Sequence, residues 1–352
     1  MEFEPVKRLE IRNYGCVRDL ALELTPLHAL IGPNDSGKST VLRALRTLAQ
    51  LASGKFVRRM PDSWQPFDPL LGDLSSLSVT FSGGNRFVTT SRSPGVVNDE
   101  IWLGGTKLVE VPRSLQSDRG WDDSRGSFLN TWLAQPMMVR FEPDCLREPA
   151  PLIPETESVG FADERGRGLP SVYDAIVNRN VKSFLEIESR LKELFPTVER
   201  IRLSNRTAGL KELAVLLRNG TPIDARAMSE GLLYYMAFAA LRYLDYTRVF
   251  LVEEPENGLH PSRIADIMRV LRQVSEEGAQ VLIATHSPLV LNELNPEEVT
   301  VLTRDDGGTH ATPIKDTPNF EERSQVYALG ELWVSYANGA DEAPLLQGGS
   351  RT

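Results

Sequence analysis

The stretch Gly32-Pro33-Asn34-Asp35-Ser36-Gly37-Lys38-Ser39-Thr40 concentrates the residue types that handle phosphate. Its Gly-x4-Gly-Lys-Ser spacing matches the P-loop pattern. Glycines let backbone N–H groups wrap a phosphate without a Cβ in the way. Lys38 can bring a flexible positive charge to the β- and γ-phosphates, and the Ser39 hydroxyl can ligate Mg²⁺. The motif needs a strand before it and a helix after it. The apolar run Leu27–Ile31 supplies the strand, and Val41, Leu42, Leu45, Leu48 and Leu51 recur at helical spacing behind it. The new helix would add its N-terminal dipole to the cradle.

A phosphate site that does chemistry also needs acids. Val249–Val252 reads as a short buried strand, and it ends in Glu253-Glu254-Pro255-Glu256. Standing alone, these residues would suit a solvated acidic loop. Beside a P-loop they suit a metal ligand, Glu253, and a neighbour that polarises the attacking water, Glu254. Ser229-Glu230-Gly231 sits ahead of an apolar helical run. It reads either as an ordinary helix N-cap or as an anion site made of a hydroxyl, bare N–H groups and a dipole. His286 follows the strand-like Val281–Ala284, where an imidazole could sense a terminal phosphate; a lone His is as readily structural.

Taken in order, LIGPNDSGKST, MSEGLLYYMAFAALRYL, VFLVEEPENGLHP and VLIATHSP resemble the ATP-binding-cassette class of ATPases. More narrowly they resemble the branch containing the SMC, RecF and OLD-type proteins, the AAA-like ATPases of bacterial defence systems. The opening VKRLEIRNYGCVRDLALEL and the stretch MVRFEPDCLREPAPLIP are similar to that branch too. The resemblance implies an α/β P-loop fold with an ABC-ATPase-like head: a mixed sheet flanked by helices, antiparallel strands at the N-terminus, and a partly helical insertion. It makes Gly32, Pro33, Asn34, Asp35, Ser36, Gly37, Lys38, Ser39 and Thr40 the ATP cradle, with Mg²⁺ on Ser39 and Glu253 and catalysis by Lys38, Glu254 and His286. Ser229, Glu230 and Gly231 become a signature motif acting on the nucleotide of a second subunit. Asn257, Gly258, Leu259 and His260 fall in the D-loop position. The implied cycle is ATP-driven closure of a homodimer, which could build larger assemblies, with hydrolysis reopening it. Glu253 stands where many cassette ATPases carry Asp, although Glu-Glu-Pro-Glu is common in the OLD-like branch. Gln135 is the nearest candidate for the Q-loop glutamine.

These residues must be carried by a head in two halves. Residues 1–95 read as the first half with the P-loop, 96–227 as an insertion, 228–315 as the second half, and 316–352 as a C-terminal helix and frayed tail. Strands are expected at Val6–Ile11, Leu20–Leu24, Leu77–Ser82, Arg86–Ser91, Ile101–Leu103, Met137–Phe141, Val198–Leu203 and Glu212–Arg218. Helices are expected over Val172–Phe195, from Met228 to Leu244, and over Pro261–Glu277. Residues 112–130 read as an exposed loop. The insertion is too short for an SMC-type coiled-coil arm, and its heptads are not sustained.

Composition narrows the role. The net charge of −9 argues against general coating of polyanions. Two cysteines cannot build a disulfide framework or a cysteine-rich zinc site. No apolar run reaches the roughly 18 residues of a membrane span, and the first residues do not form a signal peptide. A cytoplasmic protein without membrane contact is expected. The basic runs Lys55–Arg59 and Arg200–Arg206 could face nucleic acid but read first as solvated faces. Asp305-Asp306, Glu297-Glu298, Glu321-Glu322 and Asp341-Glu342 read as solvated pairs, and the chain beyond His286 is too short for a nuclease domain. The expectation is therefore an ATPase without intrinsic nuclease that controls a separate effector protein in defence against phage or foreign DNA. A RecF-like repair or replication ATPase that binds DNA directly is the alternative; a transporter subunit or a nucleotide-gated scaffold fits less well.

Overall fold

The computed structural model describes residues 3–52, 75–93, 96–114, 136–245 and 247–337. Lys55–Arg59, Gln135, most of the expected loop at 112–130, Asp341-Glu342 and the expected frayed tail lie outside them. Internal contacts divide the chain into two units, one of Met1–Pro136, Arg248–Glu254 and Gly278–Thr352, the other of Met137–Thr247 and Pro255–Glu277.

The first unit holds two layers of strand around one helix. An antiparallel sheet is built from β1 (Val6–Tyr14), β2 (Val17–Glu23), β4 (Ser75–Phe81), β5 (Arg86–Ser93), β6 (Val96–Leu103) and β7 (Thr106–Ser114), in the order β2-β1-β4-β5-β6-β7. β1 alternates buried Leu9 and Ile11 with more exposed Arg8 and Glu10, as a sheet with one face on the core requires. The second sheet runs β16 (Gly308–Pro313), β15 (Val299–Asp305), β3 (Leu27–Ile31), β14 (Gln280–Thr285), β13 (Val249–Glu253). β15, β3, β14 and β13 are parallel, and β16 returns antiparallel on β15. β3 and β14 are buried at every residue and read as nearly continuous apolar runs, interrupted by His28 in β3 and bounded by Gln280 and Thr285 in β14. Helix α1 (Lys38–Ala52) packs on β1, β4 and β14, with Leu42, Leu45 and Leu48 fully buried. Each such leucine contributes about 1.5–3 kcal/mol by burial. Short helices α7 (Pro288–Leu291), α8 (Phe320–Ser324) and α9 (Leu329–Ala337) complete the unit, α9 against α7.

The second unit contains β8 (Met137–Val139), α2 (Pro143–Leu146), β9 (Ala150–Pro151), α3 (Leu169–Arg179), α4 (Val181–Leu194), an antiparallel sheet of β10 (Val198–Thr207), β11 (Leu210–Leu217) and β12 (Pro222–Asp224), and helices α5 (Glu230–Ala240) and α6 (Pro261–Glu276). α5 is apolar nearly all round, and Leu232 to Ala240 are buried without a break. Such a helix is packed on every side.

The structure differs from the sequence expectations at several points. The single helix expected over Val172–Phe195 is two. Asn180 leaves helical geometry, and its side chain accepts from the Ser183 N–H as the N-cap of α4. The expected loop at 112–130 begins inside β7, which runs to Ser114. β6 and β7 extend the antiparallel sheet past residue 95, where an insertion was expected to start. The β15–β16 hairpin had no counterpart in the sequence reading.

His28, on β3, is buried, and burial pushes its imidazole down from 6.5 to about 4. Its Nδ1 lies 3.4 Å from the Thr25 backbone nitrogen and 3.1 Å from Thr25 Oγ1, and its Nε2 lies 3.0 Å from Thr300 Oγ1, so both ring nitrogens are engaged. Because the folded value lies below the unfolded one, the unfolded chain binds the proton first as pH falls. Stability is therefore whole above pH 6.5 and lost between about 6.5 and 4. In urea unfolding, His28→Gln is expected to remove on the order of 3 kcal/mol of the stability lost between those pH values.

Candidate functional site

Three neighbouring parallel strands end on one edge. The register pairs Ile31 of β3 with Thr285 of β14, and Ala284 of β14 with Glu253 of β13. The residues that follow are Gly32, His286 and Glu254. The carboxyl edge of a parallel sheet is where the chain turns outward and ligands bind in α/β folds. The expected phosphate loop, acids and switch histidine of the first unit are thus brought together by strand register alone.

The loop from β3 to α1 is tightly formed. A turn bond runs from Ser36 N–H to the Pro33 carbonyl at 3.3 Å. Gly37 has φ 101, and Asp35 takes φ 69 although it is not glycine. A Cβ on Gly37 would stand 2.5 Å from Thr309 Oγ1, so a side chain there meets both strain and collision. Lys38 is buried, and its Nζ donates to the Gly32 and Pro33 carbonyls at 2.8 Å each, which holds the ammonium inside the loop. Ser36 Oγ is buried with no hydrogen-bond partner among the described residues. Behind the loop, Cys16 Sγ donates to Thr40 Oγ1 at 3.3 Å.

These features fit a bound polyphosphate. The orphaned Ser36 hydroxyl and the first-turn N–H groups of α1 are donors that a helix start cannot satisfy itself. Among the described residues no cluster of three or more His, Cys, Asp or Glu could hold a metal alone. A magnesium ion would instead combine Ser39 and Glu253 with phosphate oxygens, its usual manner of binding.

Glu254 has φ 47, a left-handed conformation unusual outside glycine, and its N–H donates to the Ala284 carbonyl at 2.8 Å. The distorted backbone brings Glu254 Oε1 to 3.5 Å from His286 Nδ1, with both side chains partly exposed. The turn after β14 is fixed by the Ser287 N–H donating to Thr285 Oγ1 at 2.9 Å. Strain of this kind marks sites that surrounding structure holds in place.

In the second unit, Ser229 precedes α5 as its N-cap residue but makes no side-chain capping bond. Ser229 and Glu230 are exposed, and the ordinary-cap reading of Ser229 loses its main support. Gly258, with φ 71, approaches this helix so closely that a Cβ would stand 2.7 Å from Tyr234 Cε2 and 3.2 Å from Glu230 Oε2. The stretches 229–231 and 257–260 are therefore neighbours. Burial, followed by the Glu230 carboxylate, pushes the Tyr234 phenol up. His260 is the N-cap of α6 and accepts from the Ser262 N–H at 3.3 Å, so its imidazole has a structural duty.

The sequence reading missed Arg304 and Thr309, which touch the loop from the β15–β16 hairpin. Their signal was Asp306-Gly307 between two strand-like runs, a strong hairpin mark. Asp305, read as part of a solvated pair, accepts from the Gly307 N–H and contacts His310 Nε2 at 2.9 Å.

Comparison with known proteins finds two domain models along the chain. Residues 5–94 match the model of an AAA ATPase domain, and residues 155–292 match an AAA domain model whose description names the AbiEii toxin and a Type IV TA system. The SMC head bound to the C-winged helix domain of ScpA superposes with a TM-score of 0.56 at 14% identity, over 87% of this chain and 96% of that one. The chain has the fold of an SMC head, and the two models it matches describe AAA ATPase domains. The OLD nuclease of Thermus scotoductus is 50% identical over 40 residues, 11% of this chain and 8% of that protein. The Old nuclease of Escherichia phage P2 is 26% identical over 152 residues, 39% of this chain and 25% of that protein. The chain thus spans a quarter or less of the length of these curated relatives. Among its described residues no helix is long and apolar enough to cross a membrane.

The left-handed backbone at Glu254 yields a stability test. Glu254→Gly is expected to relieve about 1 kcal/mol of strain and raise the Tm by about 2 °C in calorimetry. An unchanged or lower Tm would mean that the carboxylate itself holds the turn.

Proposed function

We propose that this chain binds ATP with Mg²⁺ and hydrolyses it in a site completed by a second copy, and that the resulting opening and closing controls a separate effector protein. The observation that carries the reading is the shared strand edge, which sets the P-loop, Glu253-Glu254 and His286 side by side. The matched AAA models support the nucleotide part.

In this reading Lys38 leaves the Gly32 and Pro33 carbonyls to meet the β- and γ-phosphates, while the first-turn amides of α1 hold the remaining oxygens. Ser39 and Glu253 would hold the Mg²⁺, which when bound would offset the negative charge on the phosphate oxygens. Glu254 orients the attacking water and takes up its proton. His286, within reach of Glu254, responds to the terminal phosphate and its departure. Ser229 and Gly231, with an uncapped hydroxyl at the start of α5, serve the nucleotide of the partner copy, and Asn257–His260 lines the contact between copies. One copy alone is then a slow enzyme.

The description of the model matched over 155–292 and the OLD nuclease relatives favour a role in defence against phage or foreign DNA, with cutting or poisoning done by the effector. Arg200 and Arg202, exposed at alternate positions of β10, favour direct DNA binding as the second reading. ATP turnover stimulated by duplex DNA, and weakened by added salt, would select it.

Purified wild-type chain is expected to hydrolyse ATP, and Lys38→Ala to lose both binding and turnover. Glu254→Gln should lower kcat by about 100-fold or more yet bind ATP and elute as a dimer in light scattering with ATP and Mg²⁺. A monomeric Glu254→Gln protein under saturating ATP would contradict the dimer cycle.

A further inference from the structure

The β15–β16 hairpin forms the back wall of the P-loop. A Cβ on Gly32 would stand 2.2 Å from the Leu302 carbonyl oxygen, and one on Gly37 would stand 2.5 Å from Thr309 Oγ1. Between these two points, Arg304 Nη1 donates to Asp35 Oδ2 at 2.8 Å and reaches the Asp35 carbonyl at 3.4 Å. Arg304 and Thr309 are cross-strand partners, so both contacts come from one rung of the hairpin.

Asp35 poses two problems for a phosphate loop. Its backbone is left-handed, with φ 69, a conformation Asp tolerates better than most residues but does not favour. Its carboxylate adds negative charge beside the place where a polyanion must settle, and like charges repel over several ångströms even at intermediate dielectric. The Arg304 guanidinium answers both. Its hydrogen bonds to the side chain and the carbonyl of one residue fix that residue's orientation, and its charge offsets the acid.

We propose that Arg304 is a positioning residue for the P-loop, which neutralises Asp35 and draws its carboxylate onto β15 so that an acidic loop can accept a nucleoside triphosphate. The inference rests on the ATP reading above. It adds to it a residue outside the P-loop, the acid pair, the signature and the switch.

The test measures ATP affinity by titration calorimetry, and KM and kcat, for wild type, Arg304→Ala, Asp35→Asn and the double variant. Arg304→Ala is expected to weaken ATP binding about fivefold and raise KM in step, with kcat changed less than twofold, since a partly exposed ion pair beside a polyanion acts on this scale. Asp35→Asn keeps tolerance for the left-handed backbone but removes the charge. With Arg304 then unopposed, it should bind ATP more tightly than wild type, and it should restore the double variant to within about twofold of wild type. The defect of Arg304→Ala should also shrink as NaCl rises, because salt screens the exposed Asp35 carboxylate. A merely structural role would give neither rescue nor salt relief, and either absence would overturn the proposal. If Arg304→Ala does not fold, Asp35→Asn and the double variant still decide: weaker ATP binding by Asp35→Asn overturns it. Wild type that binds no ATP would overturn the ATP reading itself. Wild type that binds ATP as well as Arg304→Ala does would overturn this inference alone.

Discussion

Holding a polyanion with backbone amides requires a chain that leaves a buried strand, reverses tightly and starts a helix with its N–H groups unpaired. Much of the first unit follows from that constraint. β3 must be central and rigid, so it is buried at every residue and flanked by parallel strands on both sides. α1 must be anchored, so its leucines lie buried and the helix packs on β1, β4 and β14. The loop itself has little freedom, because Gly32 and Gly37 lie against the β15–β16 hairpin and Lys38 is bonded to two loop carbonyls.

The same edge explains why the acids and the histidine need no contact in sequence. Parallel register sets the ends of β3, β14 and β13 level, and each turn that follows delivers one function. The turn after β13 does so at a cost, with Glu254 held in a left-handed backbone. In the second unit the uncapped Ser229 and the close approach of Gly258 to Glu230 make a separate surface. Two family models, one over 5–94 and one over 155–292, with 95–154 between them in neither, accord with a motif set divided along the sequence.

Elements whose signal is local were legible in the residues. β3, the P-loop and the start of α1 were read nearly to the residue, because an apolar run, a glycine pattern and a helical period follow one another without a gap. The acid pair was legible for the same reason, as a charge at the end of an apolar strand. Features set by long-range pairing were not. β7 contains Lys107, Glu110 and Arg113, and nothing local says that it extends a sheet begun at Val6. The break at Asn180 was hidden by apolar residues that keep helical period on both sides, although an Asn with Ser three positions on is a cap signal. The hairpin carrying Arg304 and Thr309 was overlooked because Asp305-Asp306 was weighed as charge rather than as the start of a turn. Its place against the P-loop depends on β15 pairing with β3, far away in sequence.

In the proposed cycle each nucleotide is served by the P-loop of one copy and by Ser229 of another. Mixing Lys38→Ala chains with Ser229→Arg chains tests it most directly, since each variant alone should be inactive. Random pairing puts one intact site in half of the dimers, so the mixture should recover about a quarter of wild-type turnover. A mixture no more active than its parents would contradict a site shared between copies.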